Sequence, residues 1–451
     1  MKTMTALALV LASSSYAFAQ TAPVNESFIT QAGTRNHGFV GQTGGNNNQG
    51  TLQVGTKNTT ATVQKGASST TNDSGTIQIG TQNSSVASQT GGSNAQTTLQ
   101  VGVKNSATTK QASTGGSNSN AGATLQFGTG NQAITVQDAA PINSVNATAT
   151  TNNSLVTQFG FQNQGLVQQT GGKNTQATLQ GGAKNLAATE QSNTNAASPA
   201  SVNTSFTGQF GKNNSGATSQ TTADLDNGFG GNSNGGSNQS ATFQIGNGNQ
   251  FATVQTASAG PGLNGVNNEA ATLQVGTKNT AMTTQGGTVF DGNANSSVNA
   301  SLIAQFGSEN TATATQTNGA NTQATVQLGA KNTAITTQNN NSDGGVTNGA
   351  ATVQAGKNNF ALTGQTVANP LNAGAIGSAN NSLIAQVGSQ NQAIAAQSTG
   401  LQAMIGANNQ VTQQVGVYNF AFTAQSSNNG VSNTAVTQQF GSHNVAITAQ
   451  R

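Results

Sequence analysis

An eighteen-residue pattern, Asn-x5-Gln-x-Gly-x2-Asn-x5-Gln, recurs sixteen times between Asn25 and Gln450 without a failure at any of its five fixed positions. The first copy is Asn25, Gln31, Gly33, Asn36 and Gln42. The second is Asn47, Gln53, Gly55, Asn58 and Gln64, and the tenth is Asn268, Gln274, Gly276, Asn279 and Gln285. The last is Asn433, Gln439, Gly441, Asn444 and Gln450. Compositional bias toward Asn and Gln does not hold five offsets through sixteen copies, so each copy is read as one structural unit of a repeat fold.

The spacing predicts strands. Asn and Gln in each half are six residues apart, an even number, so both point to one face of a strand. The glycine lies between the halves, where a tight reversal calls for a residue tolerant of positive φ. Each repeat therefore reads as strand, arc, strand. The predicted fold is all-β: a β-solenoid of about sixteen such rungs, each contacting only its neighbours, with amides stacked in ladders at the ~4.8 Å strand spacing.

Other positions on the Asn/Gln face agree. Two residues before the central Gln, every copy is β-branched: twelve Thr, such as Thr51, Thr272 and Thr437, with Ile29, Val156, Ile303 and Ile384 in the rest. Two residues after the second Asn, fifteen copies have Ala, Gly, Ser or Thr, and Phe251 is the exception. A branched residue opposite a small one suits two closely packed sheets. The opposite face competes for the interior, because the residue after the central Gln is large and apolar in thirteen copies, Val54, Phe127, Phe306 and Phe440 among them. Hydrophobicity alone would turn that face inward. Invariant spacing favours the Asn/Gln face, since buried amides need defined partners. The apolar face is then left for lateral contact between filaments.

Composition points to self-association. Charged residues make up 5% of the chain and the net charge is +3, far from the roughly 25% charged residues of an ordinary domain. A long, nearly neutral chain rich in amides and hydroxyls is not held apart by charge repulsion. The first repeat starts a few residues into the expected mature chain and the last is followed only by Arg451. No capping repeat is visible, so both end rungs are expected to expose strand edges that template another chain. Lys or Arg precedes the second Asn in six copies, at Arg35, Lys57, Lys104, Lys184, Lys278 and Lys331. These read either as charges that moderate aggregation or as solvated turn residues. A basic stripe for extracellular DNA or anionic polysaccharide is a further reading.

Residues 1–19 read as a signal peptide. Lys2 supplies the positive start, residues 6–12 the apolar stretch, and Ala17-Phe18-Ala19 the cleavage site. Residues 20–24 form a short segment before the repeats, which occupy 25–451. The apolar stretch is too short to span a bilayer, which takes about 20 residues. Connections between repeats run from four residues, as at Thr43-Gly44-Gly45-Asn46, to seventeen, from Thr221 to Ser237. The five prolines, Pro23, Pro141, Pro199, Pro261 and Pro370, avoid the expected strands.

The stretch Gln274-Val-Gly276-Thr-Lys-Asn279-Thr-Ala281-Met-Thr-Thr-Gln285 resembles the curlin repeat of bacterial curli fibres, and the resemblance covers residues 25–450. It implies a secreted subunit of an extracellular, cross-β functional amyloid on the cell surface, serving biofilm matrix, adhesion and colonisation. It also implies export through the periplasm and an outer-membrane secretion pore, a minor nucleator subunit as partner, and Gln and Asn ladders in the core. The pattern departs from the family in opening with Asn where curlin repeats usually have Ser, in the number of repeats, and in the short segment before them.

No enzymatic constellation is expected, and no cofactor. His37 and His443 stand at opposite ends of the chain and read as turn residues. Asp224-Leu225-Asp226-Asn227-Gly228 begins like a calcium loop but lacks the later ligands. Cysteine is absent, which excludes disulfides and thiolate metal sites. Two alternative roles remain: a surface-binding solenoid such as an ice-binding protein, which needs an exposed Thr array, and a non-amyloid adhesin stalk, which needs a binding head.

Overall fold

The computed structural model describes residues 24–66, 70–113, 118–139, 150–193, 201–224, 236–259, 266–289, 298–341, 347–368, 379–399, 406–427 and 431–451. The expected signal peptide, all five prolines and most of the Asp224–Gly228 stretch lie outside these residues. The described chain is all-β: thirty-two strands, two to each repeat, and no helix. In the second repeat the leading strand is Asn46–Thr56 and the trailing strand Thr59–Lys65. The chain divides into two compact units, Met1–Asn185 and Leu186–Arg451. In the first unit seven leading strands form one parallel sheet and six trailing strands another; in the second unit the counts are nine and ten.

Register is set by the repeat. In the first unit Asn47, Gln53 and Gly55 pair with Asn72, Gln78 and Gly80 of the next rung. In the second, Asn268, Gln274 and Gly276 pair with Asn299, Gln305 and Gly307. Equivalent residues thus stack on one another, and loops of different length between repeats do not shift them. Slipping by one residue would turn every amide outward.

The arc differs from expectation in one respect. The glycine does have positive φ, between 101° and 129° in all sixteen copies, yet it continues the leading strand. The reversal is made two residues later, where the residue before the second Asn sits in the left-handed region in every copy. Fourteen of these are not glycine, including Lys57, Lys278, Tyr418 and His443, and the others are Gly130 and Gly248. The shortest connections between rungs use the same device: Gly44 and Gly45 both have φ of 61°, as a tight two-residue turn requires.

The Asn/Gln face is the interior. Asn47, Thr51, Gln53, Asn58 and Gln64 are buried, as are Asn268, Thr272, Gln274, Asn279 and Gln285. Branched and small positions meet there: Ile303 packs with Ala312, Ile384 with Ala393, and Val156 with Val167 and Ala133. Phe251, the oversized exception, is accommodated because Gly216 lies beneath it; a methyl group at Gly216 would sit 1.6 Å from the Phe251 ring. The apolar opposite face lies outside, with Phe159, Leu328 and Phe440 exposed.

Candidate functional site

The distinctive feature of the interior is a set of four amide columns running from rung to rung, with fixed directions. In both glutamine columns the side-chain N–H donates toward the C-terminal rung. Gln53 Nε2 donates to Gln78 Oε1 at 2.8 Å and Gln64 Nε2 to Gln89 Oε1 at 2.8 Å. Gln274 donates to Gln305 at 2.8 Å, Gln285 to Gln316 at 2.7 Å, Gln414 to Gln439 and Gln425 to Gln450 at 2.8 Å. In the first asparagine column the direction is reversed: Asn47 Nδ2 donates to Asn25, Asn268 to Asn238 at 2.8 Å, and Asn433 to Asn408 at 3.0 Å.

The second asparagine joins three elements at once. The Asn279 backbone N–H donates to Asn249 Oδ1 at 3.1 Å, and its Nδ2 reaches the Gly307 carbonyl of the next rung at 3.0 Å. Asn58 does the same with Asn36 and Gly80, and Asn444 donates to Asn419. An amide nitrogen has two hydrogens, and the glutamines use both. Besides its ladder bond, Gln53 donates to the His37 carbonyl at 3.1 Å, and Gln274 and Gln414 donate to the Gln250 and Gln392 carbonyls at 2.9 Å. These last bonds tie the leading sheet to the trailing strand of the preceding rung. Invariant offsets follow from this geometry, since one residue must reach a side chain above and a backbone carbonyl opposite.

Gly55 and Gly276 lie at a close backbone approach between rungs. A methyl group on Gly276 would lie 1.9 Å from the Gly307 carbonyl oxygen, and one on Gly55 2.0 Å from that of Gly80. At Gly441, in the last described rung, the nearest such neighbour is Asn444 Nδ2 at 3.8 Å.

A fifth inward column escaped the sequence reading. Two residues after the first Asn, five copies carry Gln, and in each case the preceding rung carries Ser at that position. Ser27 donates to Gln49 at 2.9 Å, Ser74 to Gln96, Ser154 to Gln176, Ser301 to Gln323 and Ser382 to Gln410. The signal was present as a coupling between neighbouring repeats, which inspection of each repeat alone does not reveal. By contrast, many inward Thr hydroxyls of the trailing strands, Thr283 and Thr336 among them, have no hydrogen-bond partner among the described residues.

The titratable residues do not gather. Among the described residues no cluster of three or more His, Cys, Asp or Glu could hold a metal ion. His37 opens a trailing strand, and His443 stacks on Tyr418 with ring centroids 5.0 Å apart. The six basic residues singled out in the sequence all take the left-handed conformation of the arc. Lys331 pairs with Glu309 at 3.6 Å on the exposed edge. No helix among the described residues is long and apolar enough to cross a membrane. Compared with known proteins, the chain matches no family model and no curated protein.

Proposed function

We propose that this chain is a structural subunit that adds rung upon rung to further copies of itself, forming an extracellular, curli-like cross-β fibre for matrix, adhesion and colonisation. The observation that supports it is the repeating amide ladder. Hydrogen bonds linking Gln274 to Gln305, or Asn279 to Gly307, need only an identical rung above. A rung supplied by a second copy meets those requirements as well as one supplied by the same chain, and extends both sheets. Secretion, an outer-membrane pore and a nucleating partner belong to this reading through the resemblance to curlin. Binding of extracellular DNA or polysaccharide along the basic arc is a subsidiary part of it.

Dilution of the denatured mature chain into buffer is expected to give thioflavin-positive fibres with cross-β diffraction near 4.7–4.8 Å. Gln53→Ala or Gln439→Ala should slow their growth more than Lys278→Ala, because only the glutamines carry the ladder. A chain that stays dispersed and folded would overturn the proposal. A second reading has one supporting observation. Thr311, Thr313 and Thr315 point outward on one trailing strand, flanked in register by Thr280 and Thr284 below and Thr333 and Thr337 above. A dispersed chain that slows ice recrystallisation, and loses this with Thr313→Leu, would favour an ice-binding surface.

A further inference from the structure

The outer face of the leading sheet in the second unit is apolar to an extent that solvent contact does not explain. Nine in-register strands each present three outward positions, and twenty-four of these twenty-seven residues are apolar; Gly208, Gln413 and Gln438 are the exceptions, and none is charged. Apart from Gln413 and Gln438 in the last two rungs, polar groups lie along the rims, with Glu269 and Asn409 along one edge and Lys212 and Lys357 along the other. An apolar centre with a polar rim is the anatomy of a protein interface. Parallel sheets, moreover, are ordinarily covered on both faces.

The side chains on this face are also fitted to one another. In the first seven of the nine rungs a large residue in one of the first two columns stands beside a small one in the other: Phe206 with Gly208, Leu302 with Ala304, Leu383 with Ala385. In the rungs between, the order is inverted, as in Ala271 with Leu273 and Ala351 with Val353. Phe243 leans over Gly208, where a methyl group would come within 2.6 Å of its ring. The small residues between Phe206 and Leu302 leave a groove of about 640 Å³ floored by Ala241 and Ala271. Ridges and grooves of this kind are what a facing sheet needs for interdigitation.

We infer that this face is an interface with a second copy of the chain, the two leading sheets packing face to face. Size selects the occupant. Nine strands at ~4.8 Å and three outward positions at ~6.6 Å give a face of about 850 Å², close to the ~800 Å² per partner of a stable complex. Every copy carries the face, so pairing needs no other component. The pairing goes beyond the proposed fibre: it runs sideways and is independent of whether rungs add at the ends.

The absence of cysteine makes the test direct. Leu328 is 44% exposed on this face, whereas Thr315 lies on the outer face of the trailing sheet. Under mild oxidation the folded Leu328→Cys chain is expected to form disulfide-linked dimers and the Thr315→Cys chain to remain unlinked. Equal linking of the two, or none, would overturn the inference. In fibres, Leu302→Lys with Leu328→Lys is expected to leave end growth intact and reduce mass per unit length roughly twofold, as a pair becomes single. Normal growth with unchanged mass would sink the lateral interface alone; loss of all growth in the wild-type chain would sink the fibre and leave the cross-linking result to decide the interface. Wild-type binding to phosphatidylcholine vesicles that the double variant loses, without cross-linking through Leu328→Cys, would assign the face to lipid instead.

Discussion

At Gly276 two constraints coincide: φ is 124°, and an added methyl group would meet the Gly307 carbonyl oxygen at 1.9 Å. The neighbour is backbone held in a ladder, so it cannot swing aside. Gly276→Ala is therefore expected to destabilise the second unit by about 3–5 kcal/mol, combining overpacking with backbone strain. A guanidinium unfolding midpoint checks this. Thr283 predicts the reverse. It is 1% exposed and its hydroxyl lacks a partner among the described residues. In the sixth repeat the same position is Val167, also buried. An unpaired buried hydroxyl costs ~1–3 kcal/mol, so Thr283→Val should stabilise the fold by up to about 1 kcal/mol after loss of weaker contacts, read as a higher midpoint. Polarity in this core thus includes amides and Ser hydroxyls that are bonded from rung to rung and trailing-strand Thr hydroxyls, such as that of Thr283, that serve by shape.

The rung's architecture depends on the arc, where Lys278 has φ of 54° and its neighbour Gly248 in the rung below has φ of 68°. An L-residue there costs roughly 1–2 kcal/mol, and a β-branched one is worse. Lys278→Val is expected to destabilise the fold by about 1–2 kcal/mol and so lower the midpoint, whereas Lys278→Gly should match or exceed the wild type. Val, Ile and Thr are missing from all sixteen copies of this position, although Thr abounds elsewhere; that absence was the legible sign of a left-handed residue. The strands, their parallel stacking and the buried amide face could be read from even spacing and invariance, because each rests on a single repeating interaction. Conformation in the arc could not be read from Gly276 alone, since two positions of the arc have positive φ and only one of them makes the turn. The Ser301–Gln323 bond was hidden for another reason: it joins residues 22 apart that belong to different repeats.

For the whole molecule the columns impose a polarity. Each rung offers glutamine N–H donors on the side of higher residue number and glutamine oxygens on the other, while the first asparagine column runs oppositely. A rung from another copy is complementary only when it arrives in the same sense; head-to-head contact would set donor against donor and leave buried amides unpaired, at ~1–3 kcal/mol each. If copies add as proposed, the carbonyl of Gly33 must come over Gly441, as that of Gly307 comes over Gly276. Within the chain Gly441 has room: a methyl group added there would lie 3.8 Å from its nearest neighbour. Gly441→Ala should then fold with only local strain, of about 1–3 kcal/mol, yet fail to polymerise alone. Added in small amounts to the wild-type chain, it can still dock through its own first rung, and it then presents a blocked end. Elongation in one direction is expected to stop while the other continues, which two-colour imaging of seeded fibres would resolve. Ser442→Ala, one residue away and free of the contact, should leave growth unchanged; wild-type growth by the Gly441→Ala chain would mean that copies do not join through this rung.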